Sequence, residues 1–343
     1  MATVTVNCIW IAATLRPRTK DKGQIMTRYL VNRLLMAIPT LIAISIAIFL
    51  ILALAPGDPM GEFASNPAMT AEVRENIRRS LGLDQPIYIR YLKWVWAFLQ
   101  GDLGYSFTSR SPVIELIGQR LPTTLWIVGS AYLLSAVLAV PLGVMAAVKR
   151  YSWLDRMATA IAFFGFSIPT FFTGLLFILL FSVYLGWFPF IYNSTLQVTD
   201  WQTFVAQLQQ SIMPISVLAL YQAAVLMRYV RSSVLEQLHQ EYARAAHAKG
   251  LPPWIVLNNH ILRNALIPVV TLVALEIPNI FTGALVTEQV FRVPGIGALL
   301  IESINRSDTP VVMAIAFIYA ILIILFNLLA DLLYGVLDPR VRY

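Results

Sequence analysis

Residues 34–55 read LLMAIPTLIAISIAIFLILALA, with no charge anywhere in the run. A helix crossing a bilayer needs about 20 mostly apolar residues, so Leu34–Ala55 is expected to span one. That expectation decides the fold class. Inside lipid every backbone group must be satisfied within a helix or a closed barrel. Barrel strands alternate apolar and polar residues over segments of about 10, whereas this run is continuous. The composition agrees: 58% of the 343 residues are hydrophobic and 13% are charged, against about 25% charged in a soluble domain.

Five further stretches qualify as spans: about Leu121–Val148, Met157–Tyr184, Ser211–Met227, Asn264–Thr287 and Pro310–Ala330. The chain is expected to be an all-α membrane protein of six helices. Lys and Arg collect in cytoplasmic loops. The second-to-third turn holds Lys149, Arg150 and Arg156, and the fourth-to-fifth loop (about 228–263) holds Arg228, Arg231, Arg244, Lys249 and Arg263. The third-to-fourth loop has neither, and the fifth-to-sixth has only Arg292 and Arg306. Both termini are therefore expected inside. The formal charge of +7 reads as this flanking excess and not as a nucleic-acid face. Cys8 is the only cysteine, so no internal disulfide forms. Residues 1–25 carry their basic residues after the apolar stretch, unlike a signal peptide, and read as a loosely ordered cytoplasmic extension to a membrane domain over 26–343. Met26 is an alternative start.

The loop between the first two spans, about 56–120, is long and expected outside. Thr70 precedes a helix over AEVRENIRRS that stops at Gly82. Pro86 opens PIYIRYLKWVWAFLQG, whose Tyr88, Tyr91, Trp94 and Trp96 suit the headgroup layer. This segment either lies on the membrane or forms a platform for an external partner.

On the inside, Glu241–Trp254 reads EYARAAHAKGLPPW. Ala, Arg and Lys favour helix, Gly250 suits a left-handed cap, and Pro252–Pro253 forbid continuation. A helix of two turns is expected, thinned by Ala245, Ala246 and Ala248, before WIVLNNHILRNALIP climbs into the fifth span. Such a knob fits a groove on another protein.

The spacing here resembles the cytoplasmic signature of ABC importer permeases: Glu-Ala-Ala, three residues, Gly, nine residues, then Ile-any-Leu-Pro. This chain has Arg244-Ala245-Ala246, Gly250, and His260-Ile261-Leu262-Arg263. The Glu, Ile and Pro are replaced, as in the dipeptide/oligopeptide/nickel branch, which typically carries Ala-any-Ala-Lys-Gly (here Ala246–Gly250), then His-any-Leu-Arg-Asn-Ala (His260–Ala265) and a Pro (Pro268). APGDP (55–59), LGLDQP (81–86), GDLGYSF (101–107), PLGVMAAVKR (141–150), GALVTEQVFRVPGIG (283–297) and DLLYGVLDPRVR (331–342) extend the resemblance over about residues 26–343.

The resemblance implies a type I importer fold and a permease subunit forming half of a translocation path. It implies a second, similar permease, two ATPase subunits that carry the ATP and Mg, and an extracytoplasmic binding protein that delivers cargo. The setting would be a bacterial or archaeal inner membrane. Glu241, Arg244, Ala245, Ala246, His247, Lys249 and Gly250 would form the coupling surface for an ATPase. The residues agree with that division of labour, because no Gly-x-x-x-x-Gly-Lys-Ser/Thr phosphate loop exists in the chain and no cofactor is expected on it. Peptide is the expected cargo; nickel chelates, opines, glutathione and oligosaccharides are the alternatives among look-alike systems.

Ionisable residues inside spans are costly and usually functional. Glu276 falls in the fifth span and shares a three-and-four spacing with Asn279, Gly283 and Thr287. That stripe is expected to face the translocation path or, alternatively, to pack against a partner helix. The branch it resembles usually has an amide at Glu276 and Gly at Pro278. Gln222 and Asn327, single amides in other spans, are further candidates for the path or else bridge helices, and Asp331 is expected to pair with Arg340 or Arg342. His239, His247 and His260 lie eight and thirteen residues apart, unlike metal ligands on one helix, and no metal is expected. A membrane-embedded enzyme is the remote alternative, but neither His-Glu-x-x-His nor Gly-x-Ser-x-Gly occurs. A passive channel would leave the cytoplasmic knob unexplained.

Overall fold

The structure, a computed structural model, describes residues 19–54, 72, 75, 79, 84–282 and 284–337. Among them no strand occurs, only one isolated bridge between Tyr105 and Pro112. Five helices are long and apolar enough to cross a membrane: α1 (Thr19–Leu54, apolar from Val31), α3 (Val113–Val148), α6 (Trp201–Leu238), α8 (residues 253–282) and α11 (Thr309–Leu337). The sixth expected span is a bent pair, α4 (Trp153–Ser167) and α5 (Thr170–Tyr184), which turn 100° against each other. The cause is local. Ile168 precedes Pro169 and takes an extended conformation (φ −88°, ψ 126°), as the residue before proline usually does. The straight span expected over Met157–Tyr184 is corrected to this broken one.

Shorter helices complete the described chain: α2 (Ile87–Leu99), α7 (Glu241–Ala248), α9 (Leu285–Val290) and α10 (Ile296–Asn305). Several expected boundaries move, and the fourth span, expected over Ser211–Met227, runs from Trp201 to Leu238. The second span begins at Val113, eight residues earlier than expected, because Pro112 caps it and Pro122 is tolerated within it. The fifth span starts at Pro253 and ends at Thr282. The helix expected after Thr70 lies mostly outside the described residues.

Small residues let the central helices approach. A Cβ on Gly143 of α3 would meet Val230 Cβ and the Met227 carbonyl of α6 at 2.8 Å, and Ala139, Ala146 and Ala147 beside it are buried. Without water to drive helix association, close packing through small side chains is what holds membrane helices together. This core continues into Val230, Val234, Ala243, Ala246, Val256 and Ile261, so α7 is packed on the same body as the spans.

α2 packs onto the bundle. Tyr91 shares a 2.8 Å hydrogen bond with Ser45 of α1, and Trp94 and Phe98 stack edge-on against Phe317 of α11 at 5.3 and 4.8 Å. Farther along, the buried Asp308 accepts hydrogen bonds from the Ser106 hydroxyl and from the backbone N–H groups of Phe107 (3.0 Å) and Thr108 (3.2 Å). The GDLGYSF segment is thereby pinned to the start of α11. Asp331 pairs with Arg33 at 3.0 Å, tying α11 to α1; its expected partners Arg340 and Arg342 lie outside the described residues.

Candidate functional site

Two sites emerge, one among the spans and one at the end of α6. At the latter, α6 stops at Leu238 and α7 begins after Gln240. Its eight residues close with Gly250 at φ +77°, a left-handed conformation that glycine adopts without steric cost. Gly250 N–H bonds to the His247 carbonyl (2.9 Å) and Leu251 N–H to the Ala246 carbonyl (3.4 Å). These two bonds form a Schellman cap. Pro252 then caps the next helix and Pro253 begins it.

The three-residue spacing of a helix sorts α7 into two faces. Ala243 and Ala246 are buried against the body, while Glu241, Arg244, Ala245, His247, Ala248, Lys249 and Gly250 are exposed. Ala246 was expected on the open surface and is corrected to the inner face, because it lies one turn from Ala243. Tyr242 donates to Gln237 Oε1 at 2.7 Å, bracing α7 against the end of α6. Of the other histidines, His239 Nδ1 lies 2.7 Å from the Leu235 carbonyl, and His260 sits in the widely wound π-helical turn Val256–Leu262.

A strut reinforces this end. Arg231 of α6 donates to both oxygens of Asp155 of α4 at 2.7 and 2.9 Å. Asp155 also accepts from the Tyr151 backbone N–H at 2.9 Å. The fork geometry matches the carboxylate with two parallel bonds.

In the spans, Glu276 and Asn279 of α8 remain neighbours as expected. Asn279 donates to Glu276 Oε2 at 2.6 Å. Tyr132 of α3 donates to the same oxygen at 3.2 Å, and Tyr319 of α11 donates to Asn279 Oδ1 at 2.9 Å. Gln222 of α6 lies beside Tyr132. Four helices thus bring five polar side chains together, each half-buried. The rest of the expected stripe does not join them. α8 ends at Thr282, after Pro278 has removed one helical donor. Thr287 lies on α9 and is 2% exposed, and Gly283 lies outside the described residues. Asn327 is exposed and makes no hydrogen bond among the described residues.

The sequence reading missed Tyr132, Tyr319 and Glu288. Lone tyrosines in apolar runs were a usable signal. Glu288 on α9 is fully buried. It accepts from the Thr124 hydroxyl at 3.0 Å and the Ala298 N–H at 2.9 Å, while Ile296 N–H donates to Thr124 at 2.8 Å. Burial holds the Glu288 carboxyl above its ordinary range, against these donors. A Cβ on Gly295 would overlap this carboxylate, which explains the glycines in PGIG.

Comparison with known proteins places these features. The family described as "Binding-protein-dependent transport system inner membrane component" matches residues 139–343, and its N-terminal companion matches residues 26–128. The oligopeptide transport system permease protein AppB of Bacillus subtilis is 42% identical over 319 residues, 93% of this chain and 100% of that protein. The glutathione transport system permease protein GsiC of Escherichia coli is 39% identical over the same shares. A solved structure described as an amino acid ABC transporter with histidines overlays 65% of this chain and 94% of its own at TM-score 0.48 and 16% identity. With its membrane helices, the two family matches and curated relatives that align over 93% of its length, the chain belongs to the binding-protein-dependent transport permeases, as a multi-pass inner-membrane subunit of an ABC importer.

Proposed function

We propose that this chain forms half of the path through which an ATP-driven importer carries peptides, and that α7 couples it to an ATPase subunit. The observation that supports this most is the two-faced α7. Its inner alanines fix it to the bundle, and its outer face offers Arg244, Ala245, His247, Ala248 and Lys249 on a thin, capped helix. Because α7 shares a core with α3, α6 and α8, a push on it is transmitted as a rigid-body movement of the spans. The Glu276 cluster sits where four of those helices meet and would line the path at the interface with a second, similar permease. ATP and Mg would be held by the two partner ATPases, and cargo would arrive on an external binding protein. Peptide is favoured because the relatives carry oligopeptide and glutathione in their names, and glutathione is itself a tripeptide.

The test is reconstitution with the partner subunits. ATP-driven peptide uptake is expected in the complete complex, with loss when the ATPases cannot hydrolyse ATP. Ala245→Glu, which adds bulk and charge to the outer face of α7 without straining its backbone, is expected to lose ATPase copurification while the protein stays in the membrane. Uptake that ignores ATP, or an ATPase that still copurifies with Ala245→Glu, would contradict the reading.

A further inference from the structure

Among the described residues, the Glu276 carboxylate has hydrogen-bond donors but no counter-ion. Oε2 accepts from Tyr132 and Asn279. Among the described residues Oε1 makes no hydrogen bond, and no Lys, Arg or His pairs with the group. A charge in an apolar span is expensive unless it is paired. A phenol and an amide reduce that cost without neutralising the charge. The residue is only half-buried, so its remaining oxygen is accessible. It lies six residues before the end of α8 at Thr282, about 9 Å at the helical rise, and so nearer the outer end of this span than the cytoplasmic one.

The chemistry around it selects a class of cation. A hard divalent ion takes about six to eight oxygen ligands, and one carboxylate among neutral groups does not supply them. A primary ammonium needs only a few acceptors and is attracted by aromatic faces. Oε1 of Glu276 and the hydroxyl oxygens of Tyr132 and Tyr319 are such acceptors, and both tyrosines bring aromatic rings to the cluster. The absence of a second acid keeps such binding weak enough to release the cation, as conduction requires.

We propose that Glu276 is the counter-ion for the α-ammonium group of the transported peptide, with Tyr132 and Tyr319 flanking the site. This rests on the path reading above. It makes Glu276 a determinant of cargo inside the membrane, in addition to selection by the binding protein.

The experiment uses the complete reconstituted importer. A peptide with a free amino terminus is compared with an analogue bearing a hydroxyl there, each supplied pre-loaded on the binding protein. Wild type is expected to take up the ammonium form about tenfold faster, the effect of one charge-assisted hydrogen bond. In Glu276→Gln that ratio is expected to fall to near one, and Glu276→Asp should keep most of it. Copurification of both permeases and the ATPases checks that each variant assembles. A wild-type ratio near one, or a ratio that survives Glu276→Gln, overturns the proposal. So does loss of the second permease from Glu276→Gln, which would show that the carboxylate pairs with a fixed cation of that subunit. Absence of ATP-driven uptake of any peptide by wild type would instead sink the importer reading itself.

Discussion

Glu288 shows what a single buried carboxylate demands of its neighbours. Thr124 and the Ala298 N–H satisfy it, and Gly295 leaves the room it occupies. Gly295→Ala is expected to destabilise the α9–α10 turn by about 1–3 kcal/mol, the usual cost of overpacking, read as a lower unfolding temperature in detergent. The pH dependence has a definite sign. Burial raises the Glu288 carboxyl above its ordinary range. As pH rises from that range, the unfolded chain loses its proton first, so stability falls until the raised value is passed and stays lower above it. Glu288→Leu should remove that part of the pH dependence, checked by unfolding across a pH series. Glu276 was legible in the sequence because an acid in an apolar run stands out. Glu288 was not, because its burial depends on Thr124, more than 160 residues away, and on a turn whose close approach no periodicity records.

At the scale of elements, the bundle is held by two kinds of contact between helices. One is steric: Gly143 lets α3 lie against Met227 and Val230 of α6. Gly143→Leu is expected to separate the two helices and abolish stable insertion, measured as loss of folded protein in membranes. The other is ionic: Asp155, 3% exposed, is forked by Arg231. Removing one partner of a buried pair costs about 3–5 kcal/mol, and Arg231, with its side chain 26% exposed, places Asp155→Ala toward the low end. The predicted readout is greater reactivity of a cysteine placed at Thr159. The apolar runs announced these helices, but their ends were less legible. Pro122 and Pro268 lie inside helices, where membrane neighbours compensate for the missing donor, while Pro169 breaks one. The sequence does not distinguish those outcomes, because the packing around each proline decides them. The cap and approximate length of the two-turn helix α7 were legible, since Gly250 and Pro252 act through their own backbones. Which of its alanines faced inward was not, because that depends on where α6 delivers the chain.

Across the whole molecule, the polar cluster among the spans and the short helix α7 are linked by the core that α7 shares with α3, α6 and α8. Large apolar side chains remain exposed along α1, among them Leu35 at 60% and Ile51 at 67%, surface that lipid or a second permease would cover. The fold class and the order of the spans followed from hydropathy alone, because lipid leaves few alternatives. The five-residue cluster did not, because it assembles from α3, α6, α8 and α11 through tertiary packing. The most direct measurement is disulfide cross-linking in the assembled importer, with Cys8→Ser and Ala245→Cys in this chain and single cysteines across the partner ATPase surface. The account predicts efficient cross-links from position 245 into a groove of the ATPase, with yields that change when ATP is bound. Labelling of position 245 by water-soluble or membrane-confined reagents, unchanged by the ATPases and without a cross-link to them, would contradict it.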